Sequence, residues 1–236
     1  LFRSDGSLEL SFFLKNSKQL VSSVIHSNTV VLDRIAPNAS IGHTWLEGNP
    51  SSSLTVTASW NKSVSGDLAN QKIQFYADGT CSATSGSLID LSSNSIETRS
   101  FTGVDGSTYS YKITSFDSAG NSTDSVCSAS ITLDTSAPAS ATALDWVQTS
   151  PHAGTAVTAS WTKSVAGDLA NQKIQFYADS ICSVTSGALI DLASAATQTR
   201  AFTGVNGSTY TYKITSFDGS GNSVVSSCST AMTIDT

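Results

Sequence analysis

Cys81, Cys127, Cys182 and Cys228 are the four cysteines of this 236-residue chain, and their chemistry depends on their spacing and company. Cys81 and Cys127 stand at the same separation as Cys182 and Cys228. A structural zinc needs about four ligands, and two cysteines without a shared histidine do not supply them. A thiolate nucleophile needs a base oriented by a third group. The simplest use is a pair of disulfides, Cys81–Cys127 and Cys182–Cys228, although four cysteines permit three pairings. The alternative is buried reduced thiols in a reducing compartment. Closing loops of this length would stabilise the fold by about 4 kcal/mol in the chain-entropy account.

The histidines are His26, His43 and His152. None occupies a position shared by the two halves described below, and no Gly-x-Ser-x-Gly motif is present. No catalytic residue is expected, and no cofactor. Five aspartate pairs do recur: Asp67/Asp168, Asp78/Asp179, Asp90/Asp191, Asp117/Asp218 and Asp134/Asp235. Their spacing gives no calcium loop of the DxDxDG kind, so they read first as turn-capping residues that accept nearby backbone amides. Asp134, beside an Ala-Pro linker, is the weak candidate for a cation. Asn38, Asn61, Asn121 and Asn206 each begin an Asn-x-Ser/Thr triplet, which matters only in a secretory eukaryotic setting.

These residues are placed by a repeat. Shifting the sequence by 101 residues lays Thr57–Asp78 on Thr158–Asp179 with changes only at positions 61 and 65, and the match runs without a gap from Pro37 to the C-terminus. Such a period is far longer than that of solenoid arrays, so each unit should fold by itself. Extended Leu-Asp segments run into Ala-Pro at Leu32 to Pro37 and at Leu133 to Pro138. The expected domains are 36–135 and 136–236. Residues 1–35 loosely echo the end of a repeat, with Asp5-Gly6-Ser7 followed by Leu8, Leu10 and Phe12 and a close at Val30-Val31-Leu32-Asp33. They are read as a partial C-terminal hairpin of a preceding divergent repeat.

Within the first full unit, Leu54, Val56, Ala58 and Trp60 alternate with polar residues, which predicts a strand that buries Trp60. Trp161 follows by repetition. Asn61 to Gln71 reads as a loop, followed by a strand carrying Ile73 and Phe75 inward and Tyr76 outward. Further strands are expected at Leu88–Leu91, Thr98–Thr102, Thr108–Phe116 and Val126–Leu133, separated by Ser-Gly, Asp-Gly and Ala-Gly-Asn turn signals. About seven short strands in a hundred residues means a β-sandwich.

The run from Phe101 through Tyr109, Tyr111 and Ile113 to Asp117, Gly120 and Asn121 resembles the E–F corner and F–G turn of a fibronectin type III repeat. Trp60 resembles that family's B-strand tryptophan, and Ile73-Gln74-Phe75-Tyr76 its C strand. The resemblance implies that Tyr109 and Tyr210 are tyrosine corners, each hydroxyl bonded to backbone just upstream. The cysteines depart from the pattern, since Cys81 falls beyond the C strand and Cys127 on the G strand. "Bacterial immunoglobulin-like" is an equally fair label. The fold class expected is all-β, two tandem seven-stranded sandwiches preceded by a partial strand pair.

A net charge of −6 without a basic stripe argues against nucleic acid, and no apolar run is long enough to insert in a membrane as a helix. The function expected is a non-enzymatic spacer or adhesion module of a cell-surface or secreted protein. Alternatives are a recognition tip for glycan or protein, a subunit of an oligomeric surface fibre joined through residues 1–35, and accessory domains of a larger secreted enzyme. Tyr76 and Tyr177, outward by alternation, are the candidate ligand contacts, and Phe12-Phe13-Leu14 offers further apolar material.

Overall fold

The structure is a computed structural model that describes residues 6–8, 11–19, 21–23, 25–26 and 30–236. It is all-β. Four short strands come first: β1 (Gly6–Leu8), β2 (Ser11–Phe12), β3 (Ile25–His26) and β4 (Val30–Leu32). β1 pairs antiparallel with β4 and β2 with β3, and Lys15 bridges to Val21, so the pairings are nested as in one hairpin. Its turn is closed by the Gln19 amide donating to the Asn16 carbonyl. Asp5, Leu10 and the side chains of Leu8, Phe12 and His26 lie outside the described residues. Phe13 and Leu14 are exposed.

The first sandwich follows with β5 (Ile41–Trp45), β6 (Thr55–Asn61), β7 (Leu68–Tyr76), β8 (Thr84–Asp90), β9 (Thr98–Thr102), β10 (Thr108–Asp117), β11 (Ser122–Asp124) and β12 (Ile131–Thr132). One sheet has the order β5-β6-β9. The other has the order β11-β10-β7-β8, with β12 also on β10. The second sandwich repeats it with β13 (Thr142–Trp146), β14 (Ala156–Thr162), β15 (Leu169–Tyr177), β16 (Thr185–Asp191), β17 (Thr199–Thr203), β18 (Thr209–Asp218), β19 (Ser223–Val225) and β20 (Met232–Thr233). Its sheets are β13-β14-β17 and β16-β15-β18-β19, with β20 on β18. Two tandem β-sandwiches behind a short paired segment are what the alternation and turn signals led one to expect, but each has eight strands where seven were expected, because two short strands flank the cysteine segment where a single last strand was read.

Packing divides the described chain into two compact units. One comprises Leu1–Leu46, Val56–Phe101 and Thr108–Ile131, and the other Glu47–Thr55, Thr102–Ser107 and Thr132–Thr236. The short segments grouped with the second unit bond among themselves: Ser51 bridges to Leu133, the Gly103 amide donates to Leu54, and the Gly106 amide donates to Leu133.

Period-2 alternation builds each core. On β6 the buried residues are Val56, Ala58 and Trp60, on β7 Ile73 and Phe75, and on β10 Tyr109, Tyr111 and Ile113. Phe75 stacks on Phe101 with centroids 4.4 Å apart, and Trp45 meets Tyr111 edge-on at 5.2 Å. The second core repeats the set around Trp146, Trp161, Phe176 and Tyr212.

Three local expectations need correction. The loop after Trp60 ends at Asp67, because β7 begins at Leu68, whose side chain is buried. Polar Asn70 and Gln71 disguise that start. Leu54 lies just outside β6 and is exposed. Val126–Leu133 is not one strand, since β11 ends at Asp124 and β12 begins at Ile131. The segment between carries Cys127, and Ser125 and Ser128 hold it to β10 by donating amides to the Ile113 and Tyr111 carbonyls and accepting the same residues' amides at Oγ. Hydroxyl-mediated bonds replace the ladder there, so no sheet period shows in the sequence.

Candidate functional site

The four cysteines form Cys81–Cys127 and Cys182–Cys228, with Cα atoms 5.8 and 5.9 Å apart. No described cysteine is free. Each bridge ties the loop after the long central strand to the segment between the last two short ones. Cys81 and Cys182 both adopt φ +56°, a left-handed conformation that an L-residue holds only when its neighbours fix it. Asp78 does the fixing. Its carboxylate accepts the amides of Thr80, Ser82 and Ala83, and these bonds, the Ala83 amide foremost, hold its pKa at about 2. Asp179 does the same for Ile181, Ser183 and Val184, where the Ser183 hydroxyl contributes most to a pKa of about 2. The turn-capping reading of this aspartate pair is thus realised, with the cysteine at the centre of the cap.

Tyr210 makes the corner bond expected of it: its hydroxyl accepts the Val205 amide at 3.1 Å, five residues upstream. Tyr109 is buried with its ring edge-on to Phe101 at 4.7 Å. Trp60 and Trp161 are buried, and each indole Nε1 donates at 3.0 Å to a buried amide oxygen, that of Gln71 or Gln172. These glutamines went unnoticed at the sequence level. Gln71 Nε2 then donates to the Asn94 and Ile96 carbonyls, fastening the β8–β9 connection. The signal was available, since Gln71 shares a strand face with Ile73 and Phe75. Tyr111 and Tyr212 were also missed as clamps. The Tyr111 hydroxyl lies in donating reach of the Thr44 and Ser59 carbonyls on β5 and β6, and Tyr212 repeats this with Asp145 and Ser160. Burial pushes both phenols well above the usual tyrosine range.

Asp134 meets Asp168 and Asp218, and Asp33 meets Asp67 and Asp117. In each set one carboxylate oxygen from every residue lies within 4.8 Å of the others. The sets are one constellation repeated at the 101-residue offset, and such oxygen clusters could hold a divalent cation, calcium requiring six to eight ligands in all. The same residues have a structural task. Asn222 Nδ2 donates to both the Asp134 carbonyl and Asp218 Oδ2, at 2.7 and 2.8 Å, while Asp134 Oδ2 accepts the Ser220 hydroxyl. Asn121 bridges the Asp33 carbonyl and Asp117 Oδ2 likewise. Burial works to raise the Asp117 pKa, and the bonds from the Asn121 side chain and the Asn121 and Ala119 amides outweigh it, leaving it below the usual value.

Tyr76 and Tyr177 stand half-buried on the outward face of the five-stranded sheet. Lys213 Nζ lies 5.8 Å from the Tyr177 ring centroid, so that ring is partly covered by its own unit. On the same faces Lys72 sits over Phe116 and Lys173 over Phe217. His43 and His152 are not brought to any cysteine or to the aspartate triads. The backbone of His152 bridges to Ile234.

No protein-family model and no curated protein matches the chain. Among solved structures, the crystal structure of the chicken CNTN1 FN1-FN3 domains is similar at 14% identity with a TM-score of 0.45, the match covering 94% of this chain and 77% of that one. No helix among the described residues is long and apolar enough to cross a membrane.

Proposed function

We propose that the chain is a non-catalytic extracellular spacer, a pair of stapled sandwiches that hold a more specialised region away from a cell surface and resist being pulled open. The observation that carries this reading is the recurrence of one disulfide at the same place in each sandwich, Cys81–Cys127 and Cys182–Cys228. Such bonds persist in oxidising compartments. The elements duplicated with it are structural, namely the Trp60–Gln71 and Trp161–Gln172 pairs and the Tyr111 and Tyr212 clamps. The histidines, by contrast, are not duplicated.

The test is mechanical. The full chain, anchored at both ends and stretched, should give two unfolding events of equal extension. Each bridge shields 46 residues of separation, so reduction should lengthen each event by about 160 Å at roughly 3.5 Å per residue. Units that yield without a resolvable force peak, or extensions unchanged by reduction, would overturn the spacer reading.

A further inference from the structure

The two sandwiches are near-copies, and one place where they part is the first strand. On β5, His43 Nε2 lies 2.9 Å from Ser40 Oγ, and the ring meets Tyr111 edge-on, centroids 5.9 Å apart at 69°. One repeat later the two positions are Ala141 and Leu144, both buried in the apolar core. A hydroxyl–imidazole pair in one unit thus replaces an aliphatic pair in the other.

We propose that the first unit carries an acid-sensitive weak point at His43 that the second unit lacks, so that mild acid loosens the first sandwich and leaves the second closed.

The ring is half-buried, and desolvation favours its neutral form. Its surroundings offer no counter-charge. β6, which pairs with β5, contains no ionisable side chain, and neither do residues 36–40 before it. Residues 125–129 contain only Cys127, which is bridged. On β10 the group that faces it is Tyr111, a phenol kept neutral by burial, while Lys112 alternates to the other face. A proton on His43 therefore places a charge with no acidic partner on a half-buried ring set against the Tyr111 phenol. Because the folded state holds this histidine below its ordinary value, the unfolded chain takes up the proton first. The contribution is complete above the ordinary histidine range and is lost as pH falls below it, by at most about tenfold in the opening equilibrium per pH unit.

Hydrogen exchange by mass spectrometry on the full chain at pH 7.5 and 5.5 tests this, with rates corrected for intrinsic exchange. Aspartates and glutamates stay ionised across that window. Opening of peptides over β6 and β10 should rise several-fold, up to about tenfold, while those over β14 and β18 stay within twofold. His43→Gln, which keeps a hydrogen-bonding side chain without the titration, should abolish the difference. So should the Ser40→Ala/His43→Leu double variant, whose residues already pack in the second unit. His152→Ser, which installs the residue found at that place in the first unit, should leave the response of the first unit unchanged. A flat first unit in the parent chain, or an acid response that survives both His43 variants, would sink the proposal.

Discussion

A Cβ atom built on Gly42 would stand 2.8 Å from Asn61 Nδ2, closer than real side chains approach. Gly42 also has φ +67° at a bulge in β5, where the register with β6 slips between Ile41 and Thr44. The second unit has the same bulge with other residues: Ala143 takes φ +50° next to Thr142, the register partner of Thr162. Asn61 to Thr162 is one of only two changes in the long duplicated run, and the glycine whose Cβ would meet Asn61 is replaced one repeat later by Ala143. Threonine is the shorter side chain, which is the reason to expect the two changes to compensate one another.

Gly42→Ala should therefore destabilise the first unit by about 1–2 kcal/mol, chiefly through left-handed strain, with a smaller part from turning the Asn61 amide aside. Asn61→Thr in the same chain should restore part of that loss, and the coupling should exceed about 0.5 kcal/mol in a double-mutant cycle followed by chemical denaturation. Strict additivity would show that the two positions do not sense each other.

Gln71→Leu keeps the volume of the side chain and deletes its hydrogen bonds. It strands the Trp60 indole donor in the interior and takes the donor from the part-buried bonds to the Asn94 and Ile96 carbonyls. The expected loss is about 2–4 kcal/mol, with the β8–β9 connection exchanging faster with solvent than the rest of the unit. A loss below about 0.5 kcal/mol would mean that the network is not structural.

Period and turn chemistry made the sandwiches legible, because Val56, Ala58 and Trp60 announce a face and the Asp-Gly and Ala-Gly-Asn turns announce its ends. The disulfides were legible because two cysteines recur with no other partner in reach. The start of β7 was hidden because Gln71 is polar yet buried, its cost met by three hydrogen bonds. The aspartate triads were hidden for another reason: Asp33 and Asp117 are 84 positions apart in the sequence, and only the fold brings Asp33 to the turn between β10 and β11.

Tyr210→Phe removes the acceptor of the Val205 amide while leaving the ring stacked edge-on to Phe202 at 4.8 Å. The cost should be about 1 kcal/mol, the net worth of one such bond. Faster exchange should be confined to the Val205–Ser208 turn. Uniformly faster exchange across the second unit would instead point to lost packing.

Asp78 and Asp179 give the loops around Cys81 and Cys182 a pH dependence whose sign follows from their low pKa of about 2. An aspartate in the open chain titrates near ~3.9, so as pH falls the open loop binds a proton before the closed one does. The order these carboxylates confer is therefore complete above about pH 4 and is lost as pH falls towards 2. Amide exchange at Thr80, Ser82 and Ala83, corrected for its intrinsic rate, should be slow at pH 5 and should accelerate between pH 4 and 2. Asp78→Asn retains one acceptor but not the charge, and should raise exchange at pH 5 towards the parent's acid rate in the first unit only, with Ser183 and Val184 unchanged. If the three amides exchange alike in parent and variant, the carboxylate does not order the loop, and the left-handed Cys81 must be held by the disulfide alone.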